Sequence, residues 1–254
     1  MCVCGDAPSS PPDGWALIPA RNEADHLAPL IVRLRALGFP VLVVDDGSDD
    51  GTAAVARSAG AEVVCVQGCG KGAAITAALR HLSQRTNLIV ILDADGQHRP
   101  EDAVRLIHTL KRGYALVVGN RLRKPTNMPL VRRLTNRAMS ALIRLVASKT
   151  VPDTQCGLKA LNLTLLPPHS FRCKKFDWET EVLLQAIKRR LPVATLPVEC
   201  IYRGTPSRIR VLPDTFRFFL LLFRYVLGAR MGVPLLWSRN WAPAKGAMSA
   251  GGAL

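Results

Sequence analysis

Acidic side chains are scarce in this chain. Across 254 residues, 19 Asp and Glu stand against 34 Lys and Arg, a net charge of +15. That balance favours an anionic partner: nucleic acid, anionic lipid or a phosphorylated substrate. The deficit is uneven, because residues 103 to 152 hold eleven Lys and Arg and no carboxylate. Aromatics make up only 6%, and no zinc, RNA-recognition or helix-turn-helix pattern is recognisable, so nucleic acid is not the expected anion. No stretch reaches the roughly 20 apolar residues of a spanning helix. The first fourteen residues hold no apolar run, so no secretory signal is expected. A hydrophobic fraction of 48% leaves membrane contact open, but only of a peripheral kind. Cys2, Cys4, Cys65, Cys69, Cys156, Cys173 and Cys200 show no paired metal-ligand spacing, and an odd number argues against a complete disulfide framework. A reducing cytosol is the simpler setting.

What is present is a regular alternation of short apolar runs and helical patterns. Strands are expected at Trp15 to Pro19, Pro40 to Val44, Ala61 to Val66, Ile89 to Leu92, Tyr114 to Val118 and Val193 to Pro197, with a weak one after Lys159. Between them lie helical segments from about Glu23 to Ala36, capped by Asn22, then Asp49 to Ala59, Gly72 to Leu82 and Pro100 to Lys111. This rhythm predicts an α/β chain with βαβ units and a mainly parallel sheet. Residues 1–14 read as a disordered lead-in, 15–212 as the principal domain, 213–238 as an apolar helical segment and 239–254 as a tail.

From Pro129 a helix is expected to bury Leu130, Leu134, Ala138, Ala141, Leu142 and Leu145, with Arg132, Asn136 and Ser140 sharing another face. From Pro213 to Gly228 apolar residues nearly encircle a helix whose Arg217 and Arg224 lie seven apart. It could lie in a membrane interface with its arginines at the headgroups, or serve as a core helix or subunit contact.

The polar clusters fall just past the strands, where open α/β sheets bind ligands. Ile89 to Leu92 runs into Asp93-Ala94-Asp95-Gly96-Gln97-His98. Two carboxylates flanking a small residue, with an amide two positions on, suit Mg²⁺ or Mn²⁺ carrying phosphate. Gly70-Lys71-Gly72 opens a helix whose first N–H groups favour an anion.

Taken together, the order Pro19-Ala20-Arg21-Asn22-Glu23, Val44-Asp45-Asp46-Gly47-Ser48, Gly70-Lys71-Gly72, Asp93 to His98, Gly119-Asn120-Arg121 and Asp153-Thr154-Gln155-Cys156-Gly157-Leu158-Lys159 resembles the family 2 glycosyltransferases of GT-A fold. The resemblance is strongest to the branch that uses polyprenyl phosphates, and it covers about residues 15 to 210. It implies a GT-A, Rossmann-like three-layer sandwich and an inverting transfer from a UDP- or GDP-linked sugar to a lipid phosphate. It further implies that Pro19, Ala20, Glu23, Asp45, Asp46, Lys71, Asp93, Ala94 and Asp95 bind the donor. Asp93, Asp95 and Gln97 would hold Mg²⁺ or Mn²⁺. Arg121, Arg132, Asn136, Lys159, Arg203, Ser207 and Arg208 would hold the acceptor phosphate or close over the donor. Asp95 and Arg121 are the expected catalytic residues. Glu179 and Glu181 join them if the acceptor is a sugar or polar-lipid hydroxyl, which needs a general base; a phosphate, already anionic, needs none. The expected location is the cytoplasmic face of a membrane, with nucleic acid binding as the remote alternative.

Overall fold

The computed structural model of the protein describes residues 13–123, 128–147, 149–175, 177–201 and 211–230; in the last of these, side chains are described for residues 217–227. The lead-in up to residue 12 and the tail from 231 onward lie outside the described residues. In chain order the elements are β1 (Trp15–Ala20), α1 (Ala24–Ala36), β2 (Val41–Asp45), α2 (Thr52–Ser58), β3 (Glu62–Cys65), α3 (Lys71–Leu82), β4 (Leu88–Ile91), α4 (Pro100–Leu110), β5 (Leu116–Asn120), α5 (Leu130–Ala147), β6 (Lys159–Asn162), α6 (Trp178–Lys188), β7 (Val193–Pro197) and α7 (Val211–Arg230).

The strands form one seven-stranded sheet in the order β3-β2-β1-β4-β6-β5-β7. The units β1-α1-β2 and β2-α2-β3 step in one direction, and β3-α3-β4 returns past them, which places α3 on the opposite face when every crossover is right-handed. Helices α1, α2 and α4 pack together on one side, and α3 packs with α6 on the other. Covered on both faces, β2 and β5 are buried along their whole length, which is why they read as continuous apolar runs without alternation. Helix α4 begins where the sequence says, with Pro100 in the first turn beside Glu101 and Asp102, residues suited to the positive end of a helix.

Two local expectations are overturned, at Asn22 and in α5. Asn22 does not cap α1: its φ is +51°, and Glu23 holds the cap position. The Asn22 side chain instead accepts the Asp49 N–H at 3.1 Å and ties the first two loops together. The weak strand at Lys159 is antiparallel to both neighbours, β4 and β5. Because it runs backwards, its first residue, Lys159, pairs with Ile91 and Val118 and lies at the C-terminal edge of the parallel strands.

The largest reversal is in α5. Its buried residues are Asn136, Ser140 and Ile143. Leu130, Leu134 and Leu145, expected in the core, are 72%, 64% and 79% exposed, and Val131 is 78% exposed. The polar face is turned inward because it meets the Asp153–Lys159 loop. The Thr154 N–H donates to Ser140 Oγ at 3.1 Å, and the two hydroxyls lie 3.2 Å apart.

Candidate active site

The C-terminal ends of β1, β2, β4 and β5, together with the start of β6, bring the polar clusters to one edge. On the β1–β2 side two loops are laced together. The Asn22 N–H donates to Ser48 Oγ at 2.9 Å, the Glu23 N–H to Thr52 Oγ1 at 3.0 Å and the Ala24 N–H to Asp50 at 3.1 Å. Asp45 is buried and accepts both the backbone N–H and the hydroxyl of Ser48. Asp46 is buried as well and accepts the Gly70 N–H at 3.0 Å. Pro19 and Ala20 lie buried in the floor beneath them. The two carboxylates thus hold these loops in place, and Glu23 sits half-buried beside them.

The glycine turn is not the open anion cradle its spacing suggests. The Gly70 N–H goes to Asp46, and the Ala73 N–H goes to the Lys174 carbonyl at 3.1 Å. Gly70 has φ +94°, and a Cβ there would come within 2.6 Å of the same carbonyl, so only glycine fits. Lys71 turns inward instead. Its ammonium donates to Asp93 at 2.7 Å and to Glu179 at 2.6 Å, joining the helices α3 and α6 to the end of β4. Burial opposes the charge on Lys71, but the two carboxylates outweigh it and raise its pKa.

Asp93 and Asp95 respond in opposite directions. Burial pushes the Asp93 carboxyl up, yet the Lys71 ammonium, helped by His98 and Lys159, overrides it and holds the group down at about 2. Asp95 is raised, first by burial and then by the Asp93 charge beside it. Ala94 between them is buried. Gln97, the third expected metal ligand, is buried, with its side-chain oxygen accepting the Cys200 thiol at 3.8 Å. The α4 entry loop pairs with residues 200 and 201, and this draws the amide toward them.

Among the described residues no group of three or more His, Cys, Asp and Glu is placed to hold a metal. The pair of aspartates nevertheless fits one. A lysine ammonium already sits against Asp93, which shows that the position attracts a cation. Mg²⁺ and Mn²⁺ also commonly take one or two carboxylates and complete their shell with substrate phosphates.

At the far side of the site Arg121 and Asp153 form a buried bidentate pair, Nε and Nη2 to the two carboxylate oxygens at 2.8 and 3.0 Å, with the Arg121 backbone N–H adding a third bond at 3.1 Å. Asp153 is fully buried; burial raises its pKa, but Arg121 more than reverses this and leaves it below the ordinary value. Two of the five N–H donors of the Arg121 guanidinium thus anchor the loop, which fixes the arginine at the edge where a phosphate was expected. Lys159 is also buried, at 1% exposure, with its ammonium bonded to the Cys156 carbonyl and its pKa lowered by burial. That position suits inner charge balance better than a mobile clamp. Arg132, half-buried, is near enough to Asp95 to oppose part of the rise that burial and Asp93 cause there. Asn136 is buried beneath it.

Glu181 accepts the N–H groups of Arg172 and Cys173 at 2.8 to 2.9 Å through both oxygens. The expectation that it serves as a base is corrected on that ground, since its lone pairs hold a loop. Glu179 shares one oxygen with Lys71, while Oε2 is buried without a partner. Arg203, Ser207 and Arg208 lie outside the described residues. Two contributors escape sequence reading. Gly157 is one: a Cβ there would stand 1.9 Å from Asp93 Oδ2. Asp153 is the other, quoted in a motif but unrecognised as the Arg121 partner.

A family model described as Glycosyl transferase family 2 matches residues 15–166, which makes the class of protein a glycosyltransferase. The chain belongs to the family 2 glycosyltransferases. It is 31% identical over 213 residues to glycosyltransferase AglJ of Haloferax volcanii, covering 82% of this chain and 70% of that protein. It is 28% identical to the UDP-N-acetylglucosamine–dolichyl-phosphate N-acetylglucosaminyltransferase of Methanococcus voltae, covering 84% and 96% of the two chains. A glucosyl-3-phosphoglycerate synthase from Mycobacterium tuberculosis, solved with Mn²⁺, UDP and phosphoglyceric acid, superposes with a TM-score of 0.66 at 22% identity, covering 87% of this chain and 79% of the other. That likeness establishes the GT-A architecture.

Proposed function

We propose that the protein transfers a sugar, with inversion, from a metal-bound nucleoside diphosphate to a polyprenyl phosphate at the cytoplasmic face of a membrane. The observation that carries this is the commitment of both candidate bases, Glu179 to the Lys71 ammonium and Glu181 to two backbone N–H groups. A hydroxyl acceptor must lose a proton, whereas a lipid phosphate arrives as an anion. The dolichyl phosphate in the name of the Methanococcus voltae relative supports the same reading.

Asp93 and Asp95 would hold Mg²⁺ or Mn²⁺, which supplies charge neutralisation for the departing nucleoside diphosphate. The loops at Pro19–Glu23 and Asp45–Asp46 enclose the nucleoside. Lys71, pinned between Asp93 and Glu179, keeps the first carboxylate ionised and oriented. Arg132 lies on the acceptor side and offers paired donors to a phosphate. Attack by the acceptor oxygen then comes from the face opposite the leaving group.

Purified protein given Mg²⁺ or Mn²⁺, UDP- and GDP-sugars, and undecaprenyl or dolichyl phosphate should form a labelled glycolipid, and absence of any lipid product under both metals would reject the proposal. The unpartnered oxygen of Glu179 favours one competing reading, a hydroxyl acceptor. Glu179→Gln separates the two. With a phosphate acceptor its rate should fall while the shape of the pH profile persists; disappearance of the acidic limb would identify a base.

A further inference from the structure

Lys71 brings a positive charge to the carboxylate that the proposed metal would use. Its ammonium bonds Asp93 Oδ1 at 2.7 Å and Glu179 Oε1 at 2.6 Å. The other Asp93 oxygen, Oδ2, lies against Gly157, so close that a Cβ there would stand 1.9 Å away. Crowded at one oxygen and bonded at the other, the carboxylate has little room to turn from the lysine. Asp95, the second carboxylate of the pair, accepts the Gln97 N–H at 3.0 Å through Oδ1. A divalent ion arriving at Asp93 therefore meets a cation already bonded to that group, and like charges in a part-buried site repel strongly.

Glu179 has capacity to spare beside it. Its side chain is 8% exposed, and Oε2 is buried with no hydrogen-bond partner. A buried carboxylate oxygen left unpaired is costly, and in a functional site it calls for an explanation. Lys159 is near enough for the Glu179 charge to act on it, but its ammonium is bonded to the Cys156 carbonyl. Lys71 is the neighbour that can satisfy Oε2. An ammonium carries three donors on a flexible four-carbon stem, and a small shift away from Asp93 brings it to both oxygens of Glu179.

We propose that Lys71 is an internal cation that exchanges with the metal: it holds Asp93 until a divalent ion arrives, then moves wholly onto Glu179, whose second oxygen receives it. This rests on the transferase reading above and adds to it how the metal is admitted. Lys71 and Glu179 become positioning residues that set metal affinity through Asp93, and the orphaned oxygen gains a task that needs no hydroxyl acceptor. Two plainer roles predict other outcomes. If Lys71 only ties α3 to β4 and α6, loss of either partner loosens Asp93 and weakens metal binding. If Lys71 and Glu179 act on the metal as fixed charges, their effects are independent and add. Exchange differs from both, because Glu179 then acts on the metal only through Lys71.

Mn²⁺ titration of the full chain, followed by the electron paramagnetic resonance of the free ion, tests this without any turnover. In the absence of nucleotide, Lys71→Met should bind Mn²⁺ about 10-fold more tightly than wild type, a modest share of what a neighbouring unit charge can contribute. Glu179→Gln should bind it about 10-fold more weakly, since the ammonium then has no second carboxylate to move to. Circular dichroism and thermal melts check that both variants fold. Adding Glu179→Gln to Lys71→Met should change the affinity by no more than about twofold, a strongly non-additive result. Unchanged or weaker binding in Lys71→Met overturns the proposal, and so do additive effects in the double variant. Should the methionine variant not fold, Glu179→Gln still decides: an affinity equal to or above that of wild type overturns the exchange. Wild type that binds no Mn²⁺ even with UDP or GDP defeats the metal-bound donor reading, and the exchange falls with it. Mn²⁺ that binds with nucleotide but is indifferent to Lys71 defeats the exchange alone.

Discussion

At the scale of single residues, the Arg121–Asp153 pair gives the clearest prediction. Asp153 is fully buried with its charge met by a fork of guanidinium bonds. Asp153→Asn keeps the shape and strands the Arg121 charge, which is expected to cost about 3–5 kcal/mol at neutral pH. The pH sign follows from the lowered folded pKa. The contribution of the pair is complete above the ordinary value of 3.8 and is lost as pH falls through the lower folded value. Urea unfolding midpoints of wild type and variant should thus lie far apart at pH 7 and converge below pH ~4. A gap that stays constant down to acid pH would show that the loss is one of packing. Neither partner was legible as such in the sequence. The residues are 32 positions apart, and only the reversed direction of β6 brings the Asp153 loop to the end of β5.

At the scale of elements, the parallel strands were readable because burial on both faces makes each a short apolar run, and the site loops followed from where those runs stop. Two features were not readable, for related reasons. The strand β6 gives no sign of its direction in a four-residue sequence, since pairing sense is set by neighbours distant in the chain. Helix α5 has a strong apolar stripe, and the ordinary inference is that such a stripe faces the core. Here Ser140, and with it the buried Asn136, is claimed by the inward side because Thr154 needs a hydrogen-bonding partner there. The Asp153–Lys159 loop also explains Gly157. Its missing Cβ leaves room for the Asp93 carboxylate. Gly157→Ala should leave global stability within about 1 kcal/mol, because the colliding atom is a side-chain oxygen that can move. Moving it pulls Asp93 off Lys71 and off the metal position, so transfer should fall by roughly 100-fold, the scale for one misplaced electrostatic group. Steady-state kinetics with a thermal melt would check both halves. A folded variant with full activity would remove Asp93 from the metal assignment.

At the scale of the whole molecule, the site straddles the sheet. The loops proposed to enclose the nucleoside follow β1 and β2, whereas Lys159, Asp153 and Arg121 come from β6, its preceding loop and the end of β5; Asp93 and Asp95 stand at the junction, after β4. Lys71 and the glycine turn bond across that junction with charged side chains: Lys71 joins α3 to β4 and α6, and Asp46 takes the Gly70 N–H. A metal-bound nucleoside diphosphate would therefore act as a second tie, and stability should depend on nucleotide and metal jointly. UDP or GDP at about 100 times its dissociation constant, with Mn²⁺, should add about 2.7 kcal/mol to the unfolding free energy. Nucleotide with EDTA should add little, because Asp93, Asp95 and the diphosphate are all negative and repel without the cation. Asp95→Ala should lose the metal-dependent part and keep whatever base and ribose contacts contribute alone. The nucleotide that gives the larger shift is expected to be the donor's. Equal stabilisation with EDTA and with Mn²⁺ would mean that the diphosphate is held by protein cations, Lys71 and Arg132 foremost, and that the two aspartates do some other task.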